Sequence, residues 1–450
     1  MLQSINPYDE SLIAEFEEHD ESVIDQKLDV SQKTFRSWKR ESFARRGELM
    51  KRAGSILRRD KSKLSKTMAT EMGKVLKEAE GEIEKCASAC DFFADNAEAF
   101  LKDQEIKTDA ARSLVTYQPL GAILAIMPWN FPFWQVFRFA APSLMAGNVG
   151  VLKHASNVGQ CSLAIENIFR EAGFPEGVFQ SLLIGSDKVD RIISDDRVMA
   201  VTLTGSEFAG TKVAASAGKN LKKTVLELGG SDPFIVLDDA DLDLTARIAT
   251  QSRMQNAGQS CIAAKRFIVV DSVREEFLDR FRKNVEALRQ GNPLEEGITT
   301  GPLARVDLAE DVEKQIGKSI AAGARVITGG ARDGANYQPA ILGSVSAGMP
   351  AFDEEIFGPV ASVISVRDER QAIEVANNHR YGLGASVWTQ DVARGEKVAR
   401  EIESGSVFVN SLMRSDQRLP FGGIKKSGYG RELSELGIKE FMNAKTLFIA

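Results

Sequence analysis

Hydrophobic and polar positions follow two textures along this chain. From about Ser31 to Leu101 charged and apolar residues mix at helical spacing, glycine is sparse and proline absent, so the stretch predicts helices. From Gly121 onward, apolar runs of strand length alternate with amphipathic stretches. Strands are predicted at Leu120–Met127, Val149–Lys153, Val178–Ile184, Val198–Thr204 and Thr224–Leu228. Helices are predicted between them at Pro132–Ala146, Cys161–Ala172, Asp187–Ser194 and Glu207–Ala217. Repeated βα units of this kind argue for a doubly wound parallel sheet, with ligands at the C-terminal ends of the strands. The pattern restarts after Gly229–Gly230. Pro233–Leu237 and Arg266–Val270 read as strands, and Leu242–Asn256 as a helix closed by Gly258. Ser272 and Glu275 have capping-box spacing before a helix that carries Phe277, Phe281, Val285 and Leu288 on one face. The expected fold class is α/β, with two doubly wound domains joined near Gly229–Gly230. Beyond the glycine-rich loop Phe421–Gly430, a helix and an edge strand, Lys445–Ile449, end the pattern.

Composition narrows the function classes. At ~100–200 residues per domain, 450 residues allow two to four domains. The hydrophobic share of 43% is globular and argues against disorder, collagen or coiled coil as the main architecture. With 57 basic and 63 acidic residues, no dominant basic face for nucleic acid is expected. The longest apolar run, about Ala122–Pro128, is far short of the ~20 residues of a membrane span. The acidic, polar start lacks a basic n-region and an apolar h-region, so no secretory signal is expected. Four cysteines do not make a disulfide scaffold, which leaves a reducing cytoplasm as the expected compartment. Cys86 and Cys90, four apart on one helical face, read as small core residues. Three histidines with no Cys/His cluster make a metal site unexpected.

Three residues at element ends carry candidate chemistry. Cys261 follows Asn256-Ala-Gly-Gln-Ser in a glycine-broken turn, where backbone dipoles can lower a thiol pKa. A buried structural cysteine is the alternative. Glu227 is an acid in an apolar strand end, either a general base raised by burial or an edge residue facing water. Asn130, held between Pro128 and Pro132, is either an oxyanion donor or the cap of the following helix. No G-x-G-x-x-G follows a strand, and Gly205–Lys212 is a poor P-loop match. Thr204-Gly205-Ser206 nevertheless ends a strand and opens a helix. That turn suits a phosphate, or is a plain strand-to-helix turn. A thiol, a carboxylate and an amide donor together are the parts for covalent catalysis at a carbonyl.

Five motifs carry a resemblance: Pro128–Pro132 (PWNFP), Leu226–Gly230 (LELGG), Asn256–Cys261 (NAGQSC), Glu354–Pro359 (EEIFGP) and Pro420–Glu432 (PFGGIKKSGYGRE). In order and spacing the chain resembles the aldehyde dehydrogenase superfamily along nearly its whole length. The resemblance implies a cofactor-binding, Rossmann-like domain of residues 1–110 and 121–228, with 416–432 returning to it. It implies a catalytic domain of residues 229–415 and an oligomerisation element of 111–120 and 433–450. Cys261 is then the nucleophile, and Asn130 with the Cys261 N–H the oxyanion holder. Glu227 becomes the base that hydrolyses the thioester; relatives that pass the acyl group to coenzyme A generally lack it. For the cofactor, Trp129 and Lys153 line the adenosine side, Gly205 and Ser206 the pyrophosphate, and Leu228, Glu355 and Phe357 the nicotinamide side. Many NAD-specific relatives read Lys-Pro-x-Glu where this chain reads Lys153-His-Ala-Ser156. A carboxylate near a 2′-phosphate costs about 1–4 kcal/mol per unit pair at ~4 Å. Ser156 removes that repulsion, so NADP is the expected cofactor, with NAD also usable. His154 reads as a surface or packed ring.

Within the superfamily, the tail from Ser415 to Leu433 resembles short bacterial succinate-semialdehyde dehydrogenases. By that resemblance Arg138, eight residues after Asn130, clamps the distal carboxylate, and Ser415 helps bind it. A salt bridge to a structural acid is the alternative for Arg138. The second clamp arginine of some relatives is Gln255 here, for which Arg414 or Arg418 could compensate. Ala263 stands where some relatives place a second cysteine, so no disulfide switch is expected there. The expected reaction is oxidation of succinate semialdehyde to succinate. Glutarate semialdehyde or an uncharged aliphatic aldehyde are alternatives, and a catalytically silent structural homologue is an alternative of another class. The partners expected are the small substrate and copies of the chain itself, as a homodimer or homotetramer.

Overall fold

The computed structural model describes residues 1–450 and folds the middle of the chain into two sheets. The first contains β1 (Ala122–Met127), β2 (Val149–His154), β3 (Phe179–Ser181), β4 (Val198–Thr204) and β5 (Lys223–Glu227), in the order β5-β4-β1-β2-β3. These strands are all parallel, and Gly428–Tyr429 returns antiparallel on the outer side of β5. Because β2 and β3 lie on one side of β1 and β4 on the other, the strand order reverses between β1 and β4. Ligand crevices of doubly wound sheets open at such a point.

The second sheet contains β6 (Asp232–Val236), β7 (Ala264–Val270), β8 (Arg325–Thr328), β9 (Ala340–Gly343), β10 (Val360–Val366), β11 (Gly384–Trp388) and β12 (Ser406–Val409). Its order is β8-β9-β10-β7-β6-β11-β12, parallel except for the β8–β9 pair. Both sheets read as near-continuous apolar runs because both faces are covered. Only residues 228–231 separate the end of β5 from the start of β6. The C-terminal edge of the first sheet therefore faces the N-terminal edge of the second.

Helices Glu21–Trp38, Phe43–Arg59, Lys61–Met72 and Leu76–Phe100 precede the first sheet. The last packs on Phe43–Arg59 and on Trp134–Met145, joining the largest apolar core. Cys86 and Cys90 are fully buried there, as packed core residues. Arg112–Pro119 and Met442–Ile449 pair antiparallel along eight residues each, with Gln104–Glu105 on the far side. No helix is long and apolar enough to cross a membrane.

Several sequence expectations change in detail. The helical stretch begins at Glu21, capped by Asp20, and is preceded by a hairpin of Leu2–Ile5 with Leu12–Phe16. The strand expected at Val178–Ile184 shrinks to Phe179–Ser181, and the last strand starts three residues earlier, at Met442. The Ser272/Glu275 capping box does not form. A 3-10 turn, Asp271–Val273, leads into the helix instead, and Glu275 pairs with its neighbour Arg274 at 2.6 Å. The helix expected to reach Asn256 stops at Met254, because Asn256 and Ala257 turn left-handed at φ +54° and +51°.

Candidate active site

That left-handed turn positions Cys261. Gly258 continues it at φ +74°, and a Cβ there would lie 2.3 Å from the Gly358 carbonyl oxygen, so only glycine fits. Asn256 fastens the turn at both ends of its residue. Its backbone N–H donates to Glu78 at 2.9 Å, and its Nδ2 donates to the carbonyls of Asn130 (2.8 Å) and Gln259 (3.1 Å). Three residues after Cys261 the chain enters β7. The buried Lys265 turns back to donate to the carbonyls of Ser260 (2.8 Å) and Cys261 (2.7 Å) and pairs with Glu355 at 3.2 Å. Glu355 also accepts from the Gly230 N–H at 3.1 Å. It approaches so closely that a Cβ on Gly229 would lie 2.2 Å from its carboxylate.

Asn130 comes from the opposite sheet, three residues past β1. Its Nδ2 donates to the Gln259 carbonyl at 3.1 Å, while its own carbonyl accepts from Lys74 Nζ at 2.9 Å. Lys74 pairs with Glu82, and both are buried. Glu82 also accepts from the N–H groups of Phe133 and Trp134, each at 2.9 Å, so one carboxylate caps the helix that follows Asn130. Asn130 is therefore not the cap of that helix. His154 braces the same loop. Its Nδ1 accepts from Ala155 N–H (2.9 Å), leaving Nε2 to donate to the Pro132 carbonyl (2.9 Å). Burial lowers its pKa to about 4, so the packed ring is neutral.

Glu227 ends β5 as a buried carboxylate with no hydrogen-bond partner. Arg138 ion-pairs with Glu432, donates to Thr204 Oγ1 at 3.1 Å and lies 4.6 Å over the Phe421 ring. The carboxylate that Arg138 meets is thus one from its own chain. The salt bridge to a structural acid is thus present, as a guanidinium this buried needs a counter-charge, and Arg138 also lines the cavity over Cys261. Burial and the neighbouring charge of Glu432 push the Glu227 pKa well up, opposed by Arg138 and Arg431. Glu432 is raised by burial as well. Burial thus raises both acids against the Arg138 guanidinium.

The thiol is neutral at rest. Burial pushes Cys261 up to about 12, with Arg138 and Lys265 pulling down and Glu355 and Glu227 pushing up. The lowered thiol pKa expected from turn dipoles is not found, since desolvation outweighs them.

Cys261 opens into a cavity of about 590 Å³ that also reaches Phe131, Trp134, Arg138, Gln255 and Ser415. Five cations line it: Lys77, Lys85, Arg138, Arg247 and Arg414. Arg418 is not among them, being paired with Asp416 at 2.6 Å in an exposed position. The residues expected at the cofactor gather around the strand-order reversal of the first sheet. Trp129 meets Phe357 edge-on at 5.8 Å between ring centres. Gly205 follows β4, and Ser206 caps the next helix through Ala209 N–H at 3.3 Å. Leu228 follows Glu227, and Lys153 and the exposed Ser156 lie at the end of β2. Burial lowers the pKa of Lys153, opposed by Asp187 and Glu18. These two carboxylates near Lys153 were not visible in the local motif.

The family model described as the aldehyde dehydrogenase family matches residues 1–447. The chain belongs to the aldehyde dehydrogenase family. It is 51% identical, over the full length of both chains, to a probable NADP-dependent succinate-semialdehyde dehydrogenase of Synechocystis. It is 45% identical to the NADP-dependent succinate-semialdehyde dehydrogenase of Mycobacterium avium, covering all of this chain and 96% of the relative. It superposes with a TM-score of 0.98, at 40% identity and full coverage of both, on the succinic semialdehyde dehydrogenase of Streptococcus pyogenes crystallised with NADP+.

For this aldehyde dehydrogenase, sequence reasoning missed the supports: Lys74, Glu78 and Glu82 on the helical layer, and Lys265 at the start of β7. The available signal was the cost of burial. Lys265 stands in an apolar strand, and Lys74 and Glu82 lie eight apart among core positions.

Lys74→Met removes one partner of a buried pair and should cost about 3–5 kcal/mol, read from the midpoint of urea unfolding. A loss below about 1 kcal/mol would show that the pair does not hold the layer. The rate of Cys261 alkylation by iodoacetamide should climb about tenfold per pH unit from pH 7 to 9 without a plateau, because the thiolate fraction is small throughout this range. A plateau below pH 8 would contradict a burial-raised thiol.

Proposed function

We propose that this protein oxidises succinate semialdehyde to succinate, using water and reducing NADP, with NAD also usable. The observation that carries this reading is the single cavity joining the Cys261 thiol to Ser415 and five cations, against one acid, Glu78, in its lining. An uncharged aldehyde would leave those cations without a task, whereas a semialdehyde brings a carboxylate to them. Exposed Lys77, Arg247 and Arg414 lie towards solvent, where they raise the local concentration of anions.

In this reading Cys261 Sγ, once deprotonated, attacks the aldehyde carbon. The Asn130 amide and the Cys261 backbone N–H hold the resulting oxyanion. NADP, when bound, supplies the hydride acceptor that turns the thiohemiacetal into a thioester on Cys261. Glu227 takes a proton from water, the hydroxide attacks the thioester carbon, and Sγ leaves as succinate forms. The chain's own residues suit the cofactor. Gly205 and Ser206 offer a helix N-terminus to the pyrophosphate, and Lys153 and Ser156 lie at the ribose strand end with no carboxylate at position 156. Trp129 packs the adenosine side, while Leu228, Glu355 and Phe357 flank the nicotinamide side. Residues 1–110, 121–228 and 416–432 would form the cofactor-binding domain, 229–415 the catalytic domain, and 111–120 with 433–450 the oligomerisation element.

Glu227→Gln should still release about one NADPH per active site in a burst, and then turn over 10²-fold or more slowly, since only the base for hydrolysis is lost (about 10²–10⁴ for a positioned base). Cys261→Ala should give no burst. Because the Glu227 pKa lies above the usual carboxylate range, wild-type turnover should rise with pH as the proton leaves. Full steady-state turnover in Glu227→Gln would sink this assignment.

We also propose that copies of the chain assemble, as a homodimer or homotetramer, through the strand Met442–Ile449. Its outer edge is unpaired within the chain, and Phe448 and Ile449 are 57% and 50% exposed. Phe448→Asp combined with Ile449→Asp should shift the mass measured by light scattering toward one chain, and an unchanged mass would place the interface elsewhere.

A further inference from the structure

The cavity wall holds one half-buried cation without a counter-charge. Of the five, Lys77, Arg247 and Arg414 are exposed and Arg138 is paired with Glu432. Lys85 is half-buried on the helix Leu76–Phe100 and makes no ion pair. The acids nearest to it are engaged elsewhere, Glu82 by Lys74 and Asp416 by Arg418. Its Nζ donates to Ser415 Oγ at 2.6 Å and lies 4.1 Å over the Trp134 ring. Trp134 Nε1 donates to the same Ser415 oxygen at 3.1 Å. A serine hydroxyl has two lone pairs and one proton. With both lone pairs filled by Lys85 and Trp134, the Ser415 O–H is left to donate to an acceptor.

We propose that Lys85 is a further specificity-determining contact for the substrate's distal carboxylate, its ammonium joining the Ser415 hydroxyl at that group. This deepens the semialdehyde reading above and rests on it. The physical reason is desolvation. A partly buried ammonium without a counter-ion is poorly stabilised, and an arriving carboxylate supplies both the charge and the acceptor for the Ser415 proton. An uncharged aldehyde gains neither. The groups facing Lys85 are Arg138 from the helix Trp134–Met145, Asp416 from the loop beside Ser415, and Glu82 and Cys86 on its own helix. Burial and Arg138 lower its pKa to about 8.

The test compares succinate semialdehyde with butanal, which has the same chain length without the carboxylate, in the wild type, Lys85→Met and Lys85→Arg, with NADP as oxidant. In Lys85→Met the ratio of kcat/KM for the semialdehyde to kcat/KM for butanal should fall at least tenfold, mainly through KM. Lys85→Arg should keep the ratio within about fivefold of the wild type. The wild type alone provides a second measurement that needs no folded variant. Its KM for the semialdehyde should rise as pH passes about 8, relative to its KM for butanal. A ratio in Lys85→Met within twofold of the wild type, an equal fall in Lys85→Arg, or parallel KM profiles for the two substrates would overturn the role of Lys85. A wild type that does not prefer the semialdehyde over butanal would overturn the substrate reading itself, and Lys85 with it.

Discussion

The carbonyl oxygen of Asn130 accepts from Lys74 on one side and from Asn256 on the other. Three parts of the chain meet at that atom: the helical layer, the loop after β1, and the left-handed turn before Cys261. Behind it, Glu82 neutralises Lys74 and caps the helix after Asn130. A carboxylate that accepts two helix N–H groups and an ammonium has most of its desolvation cost offset. The amide of Asn130 and the thiol of Cys261 therefore share a rigid frame, although they come from different sheets.

The frame works only because the two sheets are placed edge to edge. The four residues between β5 and β6 are too few for a crossover, so Glu227 at the end of one sheet lies near the start of the other. The loop after β1 joins the strand-order reversal of the first sheet to the cavity over Cys261, since it starts at the one and its Phe131 lines the other.

Burial sets the electrostatics of the resting site. The thiol is protonated, and burial raises Glu227 and Glu432 beside the Arg138 guanidinium. The charge needed for attack and hydrolysis must therefore be developed during the reaction, next to the donors already aimed at it. The cations lining the cavity sort by depth: exposed ones towards solvent, one locked by an acid, and one half-buried and unpaired.

The parallel sheets were legible because buried parallel strands are continuous apolar runs, and those runs stand out from helical spacing. Cys261, Glu227 and Asn130 were legible because small or polar residues interrupt those runs at element ends. The capping box failed because a short motif does not outweigh the local path of the chain: the 3-10 turn at Asp271–Val273 carries the chain into the helix, and Glu275 finds Arg274 first. The left-handed turn at Asn256 and Ala257 was hidden because alanine gives no sign of such a backbone, which is held in place by Glu78, Asn130 and Gln259 from outside the turn. By itself, the sequence determined the two α/β sheets and the family, since each is written in local periodicity or a contiguous motif. Only the tertiary structure decided that Arg138 pairs with Glu432, that Lys85 is left unpaired, and that burial raises the thiol and the acids Glu227 and Glu432. Charge partners hundreds of residues apart and the loss of water around them exist only once the chain has closed.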